Sequence, residues 1–264
     1  MRLCEGLNGF TRDELKGFAA CLGIKGCSKL KKDELIGQVE NCFLSEAVFR
    51  KRVSYLTESQ MKLFRKACGG PADVPKKGAD AVDAVRISFY LLGYFEEDQG
   101  ALCIYEDVTE SFKKIDDDEF AKENVKNGWL TSCLNFFNDY YQVAPIEVIY
   151  KLFSNKIDCS MDEMAGILDD MPEDMAEADV IPSEQLLPGE HLERLLLSER
   201  GLLVTWDMLD SDDDLRSLLK DQNGKDFFIP GPKQMVDMIR HYRDGGRTLG
   251  NRGHCPDELK AQHA

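Results

Sequence analysis

A chain of 264 residues, 43% of them hydrophobic, can bury a substantial core and is long enough for about two domains. Its formal net charge of −15 repels polyanions at long range, which argues against a protein that coats nucleic acid with its whole surface. No run of about 18 apolar residues marks a membrane span, and MRLCEGLNGF lacks the continuous apolar core of a secretory signal, so a cytoplasmic protein is expected.

The nine cysteines (Cys4, Cys21, Cys27, Cys42, Cys68, Cys103, Cys133, Cys159 and Cys255) are odd in number and widely spaced. That pattern fits free thiols in a reducing compartment better than a disulfide frame. No C-x-x-C pair occurs and His254-Cys255 stands without partners in register, so no metal and no cofactor are expected. The charge is unevenly spread. Residues 1–80 carry 15 Lys+Arg against 10 Asp+Glu, while the rest of the chain carries 18 against 38.

The first legible element opens at Thr11, an N-cap whose capping box is completed by Glu14, with Phe10 and Leu15 as a hydrophobic staple. A helix from Arg12 buries Leu15, Phe18, Ala19 and Leu22 on one face and stops at Gly23. A loop with Lys25, Gly26, Ser28 and Lys29 follows between Ile24 and Leu30. Lys31 and Lys32 then open a second helix that turns Leu35, Ile36, Val39 and Phe43 toward the first. Lysines at a helix start oppose its macrodipole, by up to about 1 kcal/mol each at low salt, and Asp33 and Glu34 offset that cost. Such clustering is not explained by stability.

The segment LGIKGCSKLKKDELI resembles the N-terminal helical domain of transcription termination factor Rho and, more distantly, the SAP module of helix, extended loop and helix. The resemblance covers about the first 45 residues. It implies nucleic-acid binding, with Lys25, Lys29, Lys31 and Lys32 facing a phosphate backbone. Cys27 stands where the family commonly has an aromatic residue, which removes a stacking group and leaves phosphate contact as the expected mode. Rho's RNA-binding barrel and ATPase domain have no counterpart, since no G-x-x-x-x-G-K-[ST] loop is present. A local basic patch on an acidic body binds within a Debye length of about 8–10 Å, weakly and with salt sensitivity.

After Ser45–Tyr55, with Arg50, Lys51 and Arg52, a second capping box at Thr57 and Gln60 opens a helix through Lys66. Gly69–Gly78 reads as a loop, Ala79–Tyr94 as a largely buried helix, and Tyr94–Val108 as a β-hairpin turning at Glu96–Gly100. Helix, helix and hairpin suggest a winged-helix-like module. Arg86 is the only basic residue of the would-be reading helix and the wing carries Glu96, Glu97 and Asp98, so a packing role is favoured over DNA reading.

Asp116–Lys156 reads as helical, with an aromatic-rich apolar surface from Phe120 and Val125 to Tyr140 and Tyr141 that is core rather than a base-stacking platform, and Pro145 in the first turn of a following helix. A third capping box, Ser160 with Glu163, opens a short helix. Met161, Met164, Met171 and Met175 suit gap-filling in a core, with an adaptable groove as the alternative. Asp169–Glu190 reads as an exposed acidic linker. Beyond it are expected a helix over His191–Leu197, strands at Gly201–Asp207 and Lys225–Pro230, a solvated acidic loop at Asp210–Asp214 in which calcium is disfavoured, and a helix from Pro232 through Tyr242. The blocks LLVTWDML, DFFIP and PKQMVDMIRHY are similar to C-terminal halves of uncharacterised bacterial proteins, a likeness that implies no activity. Arg243–Ala264 reads as a frayed polar tail.

These elements define a mainly α protein with small β elements, in four segments: a Rho-N/SAP-like module (1–45), a winged-helix-like module (46–115), a helical region (116–175) and an acidic linker with a small α+β region (176–264). No nucleophile motif or metalloprotease motif supports an enzyme. The expected function is that of a nucleic-acid-associated regulatory or adaptor protein, RNA or DNA unresolved, with a protein partner and no membrane; the alternative is a protein–protein interaction factor that does not bind nucleic acid.

Overall fold

A computed structural model describes residues 1–186, 198, 200–222 and 225–245. The expected helix at His191–Leu197 and the tail residues Arg247, Arg252, His254 and Cys255 lie outside them. The protein is mainly α, and its described residues form two small antiparallel sheets of three strands each. It forms two units, Met1–Trp129 with Met171–Met175, and Leu130–Asp170 with Ala176–Ala264. The boundary at Trp129–Leu130 falls inside a helix.

The first unit begins with α1 (Leu3–Leu7), α2 (Arg12–Cys21), a 3-10 turn (Cys27–Lys29) and α3 (Lys32–Phe43). Leu3, Leu7, Leu15, Ala19, Leu35, Val39 and Phe43 are fully buried. It continues through α4 (Glu46–Ser54), α5 (Glu58–Cys68), β1 (Ala72–Asp73), α6 (Ala79–Phe89), β2 (Gly93–Glu96), β3 (Ala101–Ile104), α7 (Glu106–Ile115) and the first half of α8 (Asp118–Tyr140). The sheet order is β1-β3-β2, with Gly93 opposite Ile104 and Glu96 opposite Ala101. The helix expected to reach Tyr94 stops at Phe89, because Leu91 takes a left-handed φ of 62°.

The strand expected to reach Val108 also ends early, at Ile104, where α7 replaces it. The reason is tertiary. The buried Asp107 carboxylate accepts the Leu3 N–H at 3.1 and 3.2 Å, and Glu106 N–H donates to the Met1 carbonyl at 3.1 Å, so α1 is seated on the first turn of α7. The N-terminal helices therefore form one body with the segment that follows.

Local capping signals are realised as read. The Thr57 hydroxyl accepts the Gln60 N–H at 3.3 Å, the Gln60 side-chain Oε1 accepts the Thr57 N–H at 3.0 Å, and both residues are buried. Thr57→Ala is expected to lower stability by about 1 kcal/mol in urea unfolding, since burial denies the freed N–H a water.

The second unit holds the remainder of α8, β4 (Val143–Pro145), α9 (Ile146–Ser154), α10 (Met161–Asp169), α11 (Glu173–Ala176, whose first three residues belong to the first unit), β5 (Ala178–Ile181), α12 (Ser183–Leu186), β6 (Leu202–Thr205), α13 (Trp206–Leu209), α14 (Asp212–Gln222) and α15 (Pro232–Arg243). β6 is the central strand, flanked by β4 and β5. Val143, Leu202, Val204, Met208, Leu215, Leu218 and Leu219 pack into one core. The aromatic stripe of α8 is core as expected: Phe136 stacks on Tyr140 at 4.8 Å and meets Tyr141 edge-on at 5.1 Å. Val125, 56% exposed, does not join it.

Several expectations here need correction. The helical reading of Asp116–Lys156 breaks at Gln142 (φ 63°), and Pro145 ends β4 as the N-cap of α9 instead of entering its first turn. The acidic "linker" supplies α11, β5 and α12, and its Met171, Met175, Ala176 and Ala178 are buried between the acids. The acidic loop at 210–214 is the start of α14, where Ser211 Oγ accepts the Asp214 N–H at 3.3 Å and acids in the first turn match the helix dipole. Lys225–Pro230 is no strand, because side chains claim its carbonyls: the Tyr141 hydroxyl donates to Phe228, and Asn155 Nδ2 donates to Pro230 at 3.1 Å. Arg243, expected in the frayed tail, closes α15 and pairs with Asp139 at 3.6 Å.

Candidate functional site

The lysine-bearing loop is held by its own backbone geometry and by one clamp. Gly23 (φ 70°) and Gly26 (φ 82°) supply the two left-handed steps that turn the chain out of α2 and into the 3-10 turn. Arg12, in the first turn of α2, reaches across: its guanidinium donates to the Ser28 carbonyl at 2.7 Å and to the Leu30 carbonyl at 3.1 Å. Sequence reading missed this role, and the only hint was a cation placed in a helix first turn against the dipole. Cys27 points inward, its thiol donating to the Ile24 carbonyl at 3.1 Å, and offers no stacking surface.

The four lysines are not equivalent. Lys25, Lys29 and Lys31 are exposed, and none has an ion-pair partner among the described residues. Lys32 is half-buried, with its ammonium donating to the Asn8 carbonyl at 2.7 Å, so it fastens α3 to the end of α1. The N-terminus of α3 already has an anion. Glu34 accepts the Lys31 N–H at 2.8 Å, which leaves the three free ammonium groups, rather than helix N–H groups, to meet a phosphate. Two nearby acids are engaged as well: Asp13 pairs with Lys16 at 2.6 Å, which lowers its pKa, and Glu14 is lowered chiefly by the Thr11 N–H and then by the Thr11 hydroxyl.

A second feature lies at α6. A cleft of about 650 Å³ is lined by Lys76, Lys77, Ala81, Val82, Phe95 and Glu97 among others. Arg86 is half-buried and Val85 and Phe89 are exposed on the same helix. The outward face of α6 is thus apolar where a groove-reading helix carries cations and hydrogen-bonding groups.

Among the described residues no group of three or more His, Cys, Asp or Glu side chains is placed to hold a metal ion, and the eight described cysteines are free. No described helix is long and apolar enough to cross a membrane. Comparison of the chain with family models, with curated proteins and with solved structures finds no match.

Proposed function

We propose that this chain is a non-enzymatic, cytoplasmic, nucleic-acid-associated regulatory or adaptor protein that touches phosphate backbone weakly through Lys25, Lys29 and Lys31. The observation that carries the reading is the exposure of three lysines on one short loop and helix start with no carboxylate partner among the described residues. The likeness of residues 22–36 to the Rho N-terminal and SAP modules points the same way. Lys32 adds to the local field but spends its ammonium on Asn8.

The chemistry sets the expected strength. Three phosphate contacts give a log–log salt slope of about −2.7 on duplex DNA and about −2 on single strands. The acidic remainder of the chain opposes binding beyond a Debye length, so the contact is short-ranged.

A salt titration with single-stranded RNA, single-stranded DNA and duplex tests this. The Lys25→Gln/Lys29→Gln/Lys31→Gln variant is expected to lose most of the slope and at least about tenfold in affinity at low salt. Equal affinity in the two proteins rejects phosphate contact. Lys32→Met is expected to behave differently, costing about 1 kcal/mol of stability through the lost Asn8 bond while leaving most of the salt slope in place. The competing reading, a protein–protein interaction factor that binds no nucleic acid, draws on the exposed apolar residues of α6.

A further inference from the structure

The outward face of α6 carries a knob and a recess on one stripe. Ala81, Val85 and Phe89 follow at four-residue steps; Val85 and Phe89 are 50% and 55% exposed, and the 650 Å³ cleft is lined by Ala81, Val82, Val85 and Phe95 but not by Phe89. Four residues of helix rise about 6 Å, so the knob at Phe89 and the recess at Ala81 are equidistant from Val85. A two-fold axis through Val85 and perpendicular to α6 exchanges the two ends of the stripe. It sets Phe89 of each copy over the other's cleft, the self-complementarity that an isologous interface demands.

Charge agrees with this occupant. The rim of the cleft mixes Lys76, Lys77 and Arg86 with Glu97 and Asp98, so it is close to neutral within a chain whose net charge is −15. Two copies meeting here avoid the like-charge opposition that most other parts of their surfaces impose. A phosphate backbone would meet Glu97 and Asp98 beside those three cations, and apolar Val85 and Phe89 on the exposed face of the helix.

We propose that α6 is a self-association surface, through which a second copy of this chain docks with Phe89 of each seated in the cleft of the other. The patch is short, so the dimer is weak. Screening of the net negative charge strengthens it as salt rises, opposite in sign to the salt response expected for nucleic acid at the lysine loop.

Sedimentation equilibrium of the full chain tests it. The mass is expected to climb from 29.9 kDa toward twice that value as concentration rises through about 10–500 µM, further at ~300 mM salt than at ~50 mM. Phe89→Ser and Val85→Lys, both at exposed positions, are each expected to raise the half-association concentration at least about tenfold with unchanged circular dichroism. A photo-crosslinking benzoylphenylalanine at position 89 is expected to mark residues 76–82 of a second, isotopically distinct copy. A single-chain mass throughout, a dimer indifferent to both substitutions, a crosslink elsewhere, or capture of a different protein or nucleic acid by this face in a chain that stays monomeric overturns the proposal.

Discussion

Asp174→Ala is expected to destabilise the first unit by about 3–5 kcal/mol, the usual cost of stranding one member of a buried ion pair. Asp174 is 9% exposed and sits on the returning segment Met171–Met175; Arg52 is 5% exposed on α4. Arg52 Nη1 donates to the carboxylate at 3.0 Å and Nη2 donates to its other oxygen, with the guanidinium carbon 5.8 Å from the centre of the Phe43 ring. Removing the carboxylate strands the buried guanidinium against the Phe43 face, and a ring interaction of about 2 kcal/mol does not replace two charged hydrogen bonds. Asp174→Asn, which keeps an acceptor, is expected to lose less. Arg52→Met with Asp174→Leu is expected to recover most of the loss, because apolar replacement of both partners removes the stranded charge. Urea unfolding measures all three, and hydrogen exchange at 171–175 shows whether the segment releases first. An Asp174→Ala midpoint equal to wild type sinks the argument.

Legibility of this chain divides by sequence distance. Thr11, Thr57 and Ser160 announce their helices because donor and acceptor lie three residues apart, and each hydroxyl accepts the expected N–H. Ser211 carries the same signal, but three aspartates behind it read as a solvated loop although acids in a first turn favour the helix. The helix and strand ends at Leu91, Gln142 and Glu177 gave no warning, since left-handed backbone is signalled by glycine or asparagine and none of these residues is either. The candidate site shows the same split. The cluster of lysines is visible in fifteen residues, whereas the separation of Lys32 from the other three depends on a carbonyl 24 positions away, and the role of Arg12 on carbonyls 16 and 18 away. Asp174 is the extreme case: its partner lies 122 residues earlier, and without that contact an acidic segment looks like a linker.

Gly128→Ala is expected to destabilise by about 2 kcal/mol, against the sign that helix propensity assigns. In an exposed helix interior the change gains about 0.8–1 kcal/mol, because glycine loses more backbone entropy on folding. At Gly128, on α8, a Cβ would stand 2.3 Å from the Leu56 carbonyl oxygen and 3.2 Å from its carbon, so backbone must move. The Leu56 link cannot recede cheaply. Asn124 Nδ2 donates to the Ser54 and Leu56 carbonyls at 2.8 Å each, Asn127 Nδ2 donates to Ser54 Oγ at 2.8 Å, and the buried Thr57–Gln60 cap begins one residue on. Relief of the clash stretches these bonds together, and overpacking of this kind costs about 1–3 kcal/mol. Gly17→Ala on α2 is the control: Gly17 is exposed, a Cβ there meets nothing within 4 Å, and the expected change is a gain of about 0.8–1 kcal/mol. Urea midpoints that move in opposite directions for the two substitutions establish that close approach of backbone, not propensity, fixes glycine at 128; midpoints that rise for both refute it.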